Sequence, residues 1–386
     1  MAFRLYLLIF LSFTDLFAQL PVASTYAKSL GAASGLIGLI VGSYSLSNLL
    51  SNVYSGWLVD RAGPKKVLVA GFWLNGAVLF FYALAGSPEQ LLAVRFLNGM
   101  TAGVITPAVF TYLSFLNLGY EKGKSMALSG AAVGLAAILA PAFSGIISSK
   151  FGTETVYLVI AAIMFAGGLL SLALKPVSSR QQAKKTEPAL SGKDVLNRLF
   201  KNKGLIISYT GVISLAVSQG ILAYMLPLKV EELNMESHIS GMLISIFGIV
   251  AILFFLLPTN RIFDRFKNEL ILAAGLLIVA VSQTITSSTE ELAVLIFSMS
   301  IYGIGFAMIF PSSTTLVSTR SDESFRGKAF GLFYAFFSLG SFLGTAVTGM
   351  FSLTPDKGLL SAGIYLALIA AVILLIYKMW PERTSG

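Results

Sequence analysis

Long apolar runs separated by short polar breaks set the architecture of this chain. Runs at roughly 3–23, 33–57, 67–86, 90–113, 124–148 and 153–174 are each long enough to cross about 30 Å of hydrocarbon as a helix. Six more follow at roughly 204–228, 239–259, 269–287, 292–317, 327–352 and 358–379. The pattern predicts an all-α membrane protein with twelve transmembrane helices. The first run follows Arg4, as a secretory signal would, but it carries Asp15 and lacks a convincing small-x-small cleavage site. It therefore counts as the first span.

The one long polar stretch, KPVSSRQQAKKTEPALSGKDVLNRLFKNK at 175–203, falls near the middle. It separates a six-helix bundle at 1–174 from a second at 204–379, with a tail at 380–386. Its later part, from Asp194 to Lys203, alternates apolar and basic residues and reads either as a short helix on an anionic inner surface or as plain linker. The halves repeat. At an offset of 204 residues Asp60-Arg61 meets Asp264-Arg265, Gly99 meets Gly303, Pro107 meets Pro311 and Gly145 meets Gly349. Nearer the start the offset is 206, where Pro21 meets Pro227 and Gly42 meets Gly248. Six helices per half give both repeats one orientation, so the expectation is two pseudo-symmetric bundles related by an axis along the membrane normal, with a cavity between them near the midplane.

Composition agrees and removes other classes. With 56% hydrophobic and 12% charged residues, a globule in water would lack the polar surface to cover itself. The absence of cysteine excludes disulfides and thiolate metal sites, and one histidine, His238, excludes a multi-histidine metal centre. The net charge of +9 sorts by side: 22 of the 27 Lys and Arg fall on the side expected to hold both termini and 4 on the other, with Arg95 inside a span. The excess is topological and calls for no nucleic-acid partner.

Between the second and third runs lies SGWLVDRAGPKKVL, a short cationic hairpin. Gly56 permits close backbone approach, Asp60 and Arg61 sit where the run ends, and Gly63-Pro64 break the helix before Lys65 and Lys66. This spacing resembles the loop signature G-x-L-A-D-R-x-G-R-K of the major facilitator superfamily, departing mainly at Pro64. The second copy, NRIFDRFKNE, has lost the glycines. The fourth run holds RFLNGMTAG, similar to that family's Arg-bearing motif, with Asn98 where Gln is common. In the fifth, Ala140-Pro141 and Ser144-Gly145 resemble its antiporter signature G-P-x-x-G-G with two glycines replaced. Pro141 reads either as a kink where the halves rock or as ordinary small-residue packing. The resemblance implies a gating role for Asp60, and gating candidates are Gly56, Asp60, Arg61, Gly63, Pro141, Asp264 and Arg265. Asp60 is otherwise a solvated loop carboxylate.

A carboxylate inside a span costs about 2.5–3.5 kcal/mol on insertion scales, so Asp15 needs a partner or a proton. Arg95 has the same problem. Asp15 lies shortly before the outer end of its run and Arg95 shortly after the outer start of its own, at similar depth and close enough to pair. Two readings follow: Asp15 titrates with Arg95 as its modulator, or the two form a permanent ion pair locking their helices. The resemblance implies proton transfer for this Arg in proton-coupled relatives.

Other polar and aromatic residues within spans are candidates for a substrate cavity: Gln19, Asn48, Asn98, Gln219, Tyr224, Tyr302, Phe306, Tyr334 and Ser338. Each reads equally as an interhelical hydrogen-bonding or packing residue. The spans of the second half carry no charge and many aromatics, which suits a lipophilic or amphipathic substrate. Enzyme motifs fail: GYEKGKS at 119–125 has the wrong glycine spacing for a phosphate loop. The expectation is a non-enzymatic secondary transporter without cofactor or metal, driven by a proton gradient. It resembles bacterial drug:proton antiporters and is expected as a monomer in the bacterial inner membrane with both termini cytoplasmic. A proton-coupled importer of a metabolite, a lipid or glycolipid flippase and a membrane sensor remain as alternatives.

Overall fold

The computed structural model describes residues 2–116, 122–175, 201–257, 262–321 and 326–379. The centre of the basic linker, with most of its candidate surface helix, the tail from Trp380 and the start of the 119–125 stretch lie outside the described residues. So do the side chains of Asp60 and Asp264.

The described residues are helical, without strands. The elements are α1 (Ala2–Ala18), α2 (Ala23–Ser29), α3 (Ser34–Ala62), α4 (Pro64–Tyr82), α5 (Pro88–Leu116), α6 (Lys122–Phe151) and α7 (Thr153–Leu172). After the linker come α8 (Lys203–Glu232), α9 (Ser237–Leu256), the short α10 (Ile262–Arg265), α11 (Asn268–Ser288), α12 (Leu292–Arg320), α13 (Arg326–Met350) and α14 (Pro355–Met379). Among them 11 helices are long and apolar enough to cross a membrane, and counting the bent pair α1 and α2 as one span brings the total to 12.

That pair corrects the expectation of one unbroken helix over 3–23. Pro21 has no N–H to continue the ladder. The chain leaves the helix at Ala18 and restarts with the Gln19 carbonyl accepting from Val22 and Ala23, turning by 44°. Its repeat counterpart behaves otherwise, since α8 runs through Pro227 without ending. The α3–α4 corner turns as expected. Gly63 has φ +84° and Pro64 opens the next helix. Such a backbone conformation is costly for any residue with a Cβ, and a proline suits the first helical position because its missing N–H would find no partner there. Gly56 does not act as expected. It is exposed, and among the described residues nothing lies within 4 Å of where its Cβ would be, so the tight element of this corner is Gly63.

The chain gathers into two compact units. The first comprises Met1–Lys184 with Ala223–Gly248 and Thr345–Leu353, and the second holds Lys185–Leu222, Ile249–Gly344 and Thr354–Gly386. Within the first, α4 packs on α5 and α7, α3 on α5, and α1 on α6. Within the second, α11 packs on α12 and α14, the pairing that α4 makes with α5 and α7, so the internal repeat extends to packing.

Small residues set these approaches. A Cβ on Gly99 of α5 would strike the Tyr44 carbonyl and the Ser47 side chain of α3, and one on Gly103 would come within 2.7 Å of the Ser51 Cβ. In the second unit Gly340 and Gly344 of α13 face the Ile213 and Val217 carbonyls of α8 in the same manner. Many serines, Ser47, Ser144, Ser218 and Ser298 among them, are fully buried, while Leu74, Val281 and Leu368 are exposed. Polar inside and apolar outside is the distribution expected where hydrocarbon is the solvent.

Within the first unit, the segments contributed by α8, α9 and α13 pack at the end where α2 lies. Tyr224 donates to the Ser34 carbonyl at 2.8 Å, Lys28 pairs with Glu231 at 3.0 Å, and Ser245 donates to the Ile138 carbonyl at 2.7 Å. Gly38 meets Gly349, and Gly145 meets Gly241: a Cβ on Gly38 would lie 2.9 Å from the Gly349 Cα, and one on Gly145 would lie 3.3 Å from that of Gly241.

Replacing Gly99 by Val is expected to cost at least about 1–3 kcal/mol through overpacking of α5 on α3, read as a lower unfolding temperature of the purified protein. Gly130 faces open space among the described residues. Gly130→Ala is therefore expected to leave that temperature unchanged or raised.

Candidate functional site

Asp15 lies in the last turn of α1 in a buried position. It stands at the negative end of the helix dipole, so its carboxylate needs donors. Three amides supply them. Asn75 of α4 donates to Oδ2 at 2.9 Å and Asn98 of α5 donates to the same oxygen at 3.3 Å. Gln19, one turn beyond Asp15 where α1 breaks, donates to Oδ1 at 2.6 Å.

Helical spacing brings these groups to one point. Residues 15 and 19 are four apart on α1 and its extension, 75 and 82 are two turns apart on α4, and 95, 98 and 101 are three apart on α5. The amides also bind one another: Asn98 donates to the Asn75 Oδ1 at 2.9 Å, Gln19 to the Asn98 Oδ1 at 3.0 Å, and Thr101 to the Asn75 Oδ1 at 2.6 Å. The Tyr82 hydroxyl donates to the Asn98 Oδ1 at 3.0 Å.

The expected direct pair of Asp15 with Arg95 is not made. Arg95 Nη1 donates to the Gln19 Oε1, so a single amide turns its N–H toward the carboxylate and its C=O toward the guanidinium. Charge and countercharge are held apart by a neutral group that is dipolar and carries no proton between them. The guanidinium carbon lies 5.3 Å from the Tyr44 ring centroid, a cation–π contact. Arg95 Nε, though buried, has no hydrogen-bond partner among the described residues.

Of the residues read as cavity candidates, Gln19 and Asn98 thus belong to this buried network. Asn48 is half-buried, accepts from Asn52 at 2.8 Å, and its carbonyl flanks Gly103. Tyr224 is tied to the Ser34 carbonyl. The others lie in the second unit. Tyr302 is buried with its hydroxyl 3.3 Å from Ser218 Oγ, Gln219 and Ser338 are half-buried, and Phe306 stacks on Phe310, which meets Phe333 and Phe337 edge-on. Tyr334 is half-exposed with its ring against Phe333.

At the corners, the Arg61 guanidinium sits 5.3 Å from the Trp57 ring centroid, and Arg265 is exposed at the end of α10. Pro141 lies inside the unbroken α6 with its carbonyl against Gly241. Among the described residues no group of three or more His, Asp or Glu is placed to hold a metal.

Sequence reasoning missed Asn75 and Tyr82. The signal was there: Asn75 is the one amide in the apolar run 67–86, and Tyr82 lies on the same helix face two turns later.

A family model described as Major Facilitator Superfamily matches residues 5–228 and again 209–385. The quinolone resistance protein NorA of Staphylococcus aureus is 25% identical over 382 residues, spanning 97% of this chain and 96% of its own. The crystal structure of the nucleoside transporter NupG superposes with a TM-score of 0.80 at 20% identity, covering 98% of this chain and 99% of that one. A mutant of the peptide transporter POT in complex with alafosfalin reaches a TM-score of 0.81 at 15% identity, covering 100% of this chain and 96% of that one. The two structures share the fold.

Removing one amide leaves a buried carboxylate oxygen short of a donor. Asn75→Leu is therefore expected to destabilise the protein by about 1–3 kcal/mol, and much less in an Asp15→Asn background. A double-mutant cycle on the unfolding of detergent-solubilised protein reads the coupling, and additive effects would contradict the network.

Proposed function

Because the chain belongs to the major facilitator superfamily, and is thus a multi-pass membrane transporter of small molecules and not an enzyme, we propose that it exports lipophilic or amphipathic compounds in exchange for protons. The observation that carries this reading is Asp15. It is a carboxylate buried among spanning helices, served only by amides and one amide removed from its nearest cation. Such a group has two accessible protonation states, and small displacements of Gln19 or Arg95 alter the balance between them.

Direction and substrate class are supported by the similarity to NorA along nearly the full chain, by the name of that protein, and by the aromatic cluster around Phe310 in the second unit. Fluoroquinolones, planar and amphipathic, are the first compounds to try. Transport proceeds by alternating access. Within the first unit the glycine contacts at the α2 end, Gly38 with Gly349 and Pro141 and Gly145 with Gly241, act as a gate, and the Gly56 to Gly63 corner and its repeat copy at Asp264-Arg265 are each gating elements of their own unit. The protein works as a monomer in the bacterial inner membrane with both termini cytoplasmic, as its cation asymmetry supports. A proton motive force of about 3 kcal/mol, from about 2.3 per 100 mV and about 1.4 per pH unit with Asp15 carrying one proton, supports roughly a hundredfold substrate gradient.

In an efflux-deficient bacterial host, the wild-type chain is expected to raise the inhibitory concentration of a quinolone or a lipophilic cation several-fold, and Asp15→Asn at matched expression to abolish that protection. Protection that survives Asp15→Asn moves coupling to another group. No protection across the panel favours import, to be tested by metabolite uptake.

A further inference from the structure

A titrating carboxylate needs a path for its proton, and in the first unit the polar groups without protein partners mark one. Among the described residues, six buried side-chain atoms lack a hydrogen-bond partner in the protein. Three of them, Arg95 Nε, Tyr157 OH and Ser24 Oγ, belong to helices α5, α7 and α2 around the Asp15 network. Buried polar groups of this kind ordinarily bind water.

Their order along the bundle is given by the helix ends. Asp15 and Arg95 are deepest. Tyr82 is the last residue of α4, Tyr157 lies one turn into α7, and Ser24 is in the first turn of α2. The rings are continuous: Tyr82 stacks on Tyr157 with centroids 4.0 Å apart and planes within 7°, and Tyr157 meets Tyr26 at 5.7 Å. Tyr26 donates to the Tyr82 carbonyl at 2.8 Å. Glu154, exposed at the start of α7, is near enough to act electrostatically on Tyr26.

The carboxylate has matching capacity to accept. A carboxylate oxygen offers about two lone-pair sites. Asn75 and Asn98 take Oδ2, while among the described residues Oδ1 accepts only from Gln19, on the side where Arg95 and Tyr82 lie.

We propose that a hydrated route lined by Ser24, Tyr157 and Arg95 Nε carries the proton between the α2 end of the first unit and Asp15 Oδ1, with Glu154 as its surface antenna. This rests on Asp15 being the titrating group. Each hydroxyl accepts a proton on its lone pair as it gives up its own, so the phenol and the serine end unchanged. The carboxylate gains one proton, hydronium becomes water, and no electron moves. The ionisable groups on the elements that line this route include Asp15, Tyr26, Tyr44, Tyr82, Arg95, Tyr157 and Glu154, together with Lys28 on α2, which is paired with Glu231 at 3.0 Å. Helix α6, packed against α1, contributes none between Lys124 and Lys150.

The test reads proton access without a substrate. The full-length protein in lipid nanodiscs is titrated over about pH 4–9, the carboxyl range widened for burial, and its protonated-carboxyl infrared band is assigned to Asp15 by its loss in Asp15→Asn. The rate at which that band shifts after transfer to D2O measures access. Tyr157→Phe, which keeps the ring stack, is expected to slow the shift about tenfold or more, in keeping with the contribution of a positioned proton-transfer group. Ser24→Ala removes one hydroxyl and is expected to slow it as well, covering the case in which Tyr157→Phe fails to fold. Tyr209→Phe, whose hydroxyl bonds the Ala329 carbonyl in the second unit, is the control expected to match wild type. A band that shifts at the wild-type rate in the Tyr157 and Ser24 variants overturns the route alone. The absence of any Asp15-dependent band overturns the titrating role of Asp15, and the route with it.

Discussion

A carboxylate inside a span must be solvated by the protein, and the first unit is arranged to do so. Asp15 draws donors from α4, from α5 and from the turn just beyond its own helix. Amides are suited to this because each has two donors and an acceptor, so Asn75, Asn98 and Gln19 satisfy the carboxylate and one another together. The close approach of α3 to α5 at Gly99 and Gly103 lets Tyr44 reach Arg95. A direct guanidinium contact would satisfy the carboxylate more strongly and hold it in one charge state. Here the Gln19 amide is interposed instead, at the Gln19–Val22 turn where α1 breaks.

The second unit repeats the packing around a neutral knot, and its buried carboxylate, Glu269, lies apart from it at the start of α11, paired with Arg320 of α12 at 3.3 Å. Tyr302 stands at the 204-residue offset from Asn98, and its hydroxyl meets Ser218 on α8, to which Gln283 of α11 donates at 2.9 Å. The same three helix positions thus carry a buried polar knot in each half, ionic in one and neutral in the other. The second unit carries an aromatic cluster, in which Phe310 stacks on Phe306 and meets the buried Phe333 edge-on.

Much of this architecture was legible in the chain. Apolar run lengths determined the spans, because hydrocarbon thickness sets a minimum helix length and permits no unpaired backbone. Gly and Pro at a near-constant offset determined the repeat, and Asp15 and Arg95 were conspicuous because charge in a span is costly. What tertiary structure alone decided is which groups meet. One-dimensional depth put Asp15 beside Arg95, but the rotation of each helix and the 44° break after α1 set Gln19 between them. The rotation of α4 made Asn75 and Tyr82 members of the network, and the start of α7 brought Tyr157 onto Tyr82. Gly56 and Gly63 look alike as letters, yet only Gly63 has a left-handed backbone. Periodicity records which residues share a face. Which faces meet is settled by packing small residues across helices, and that choice depends on every helix at once.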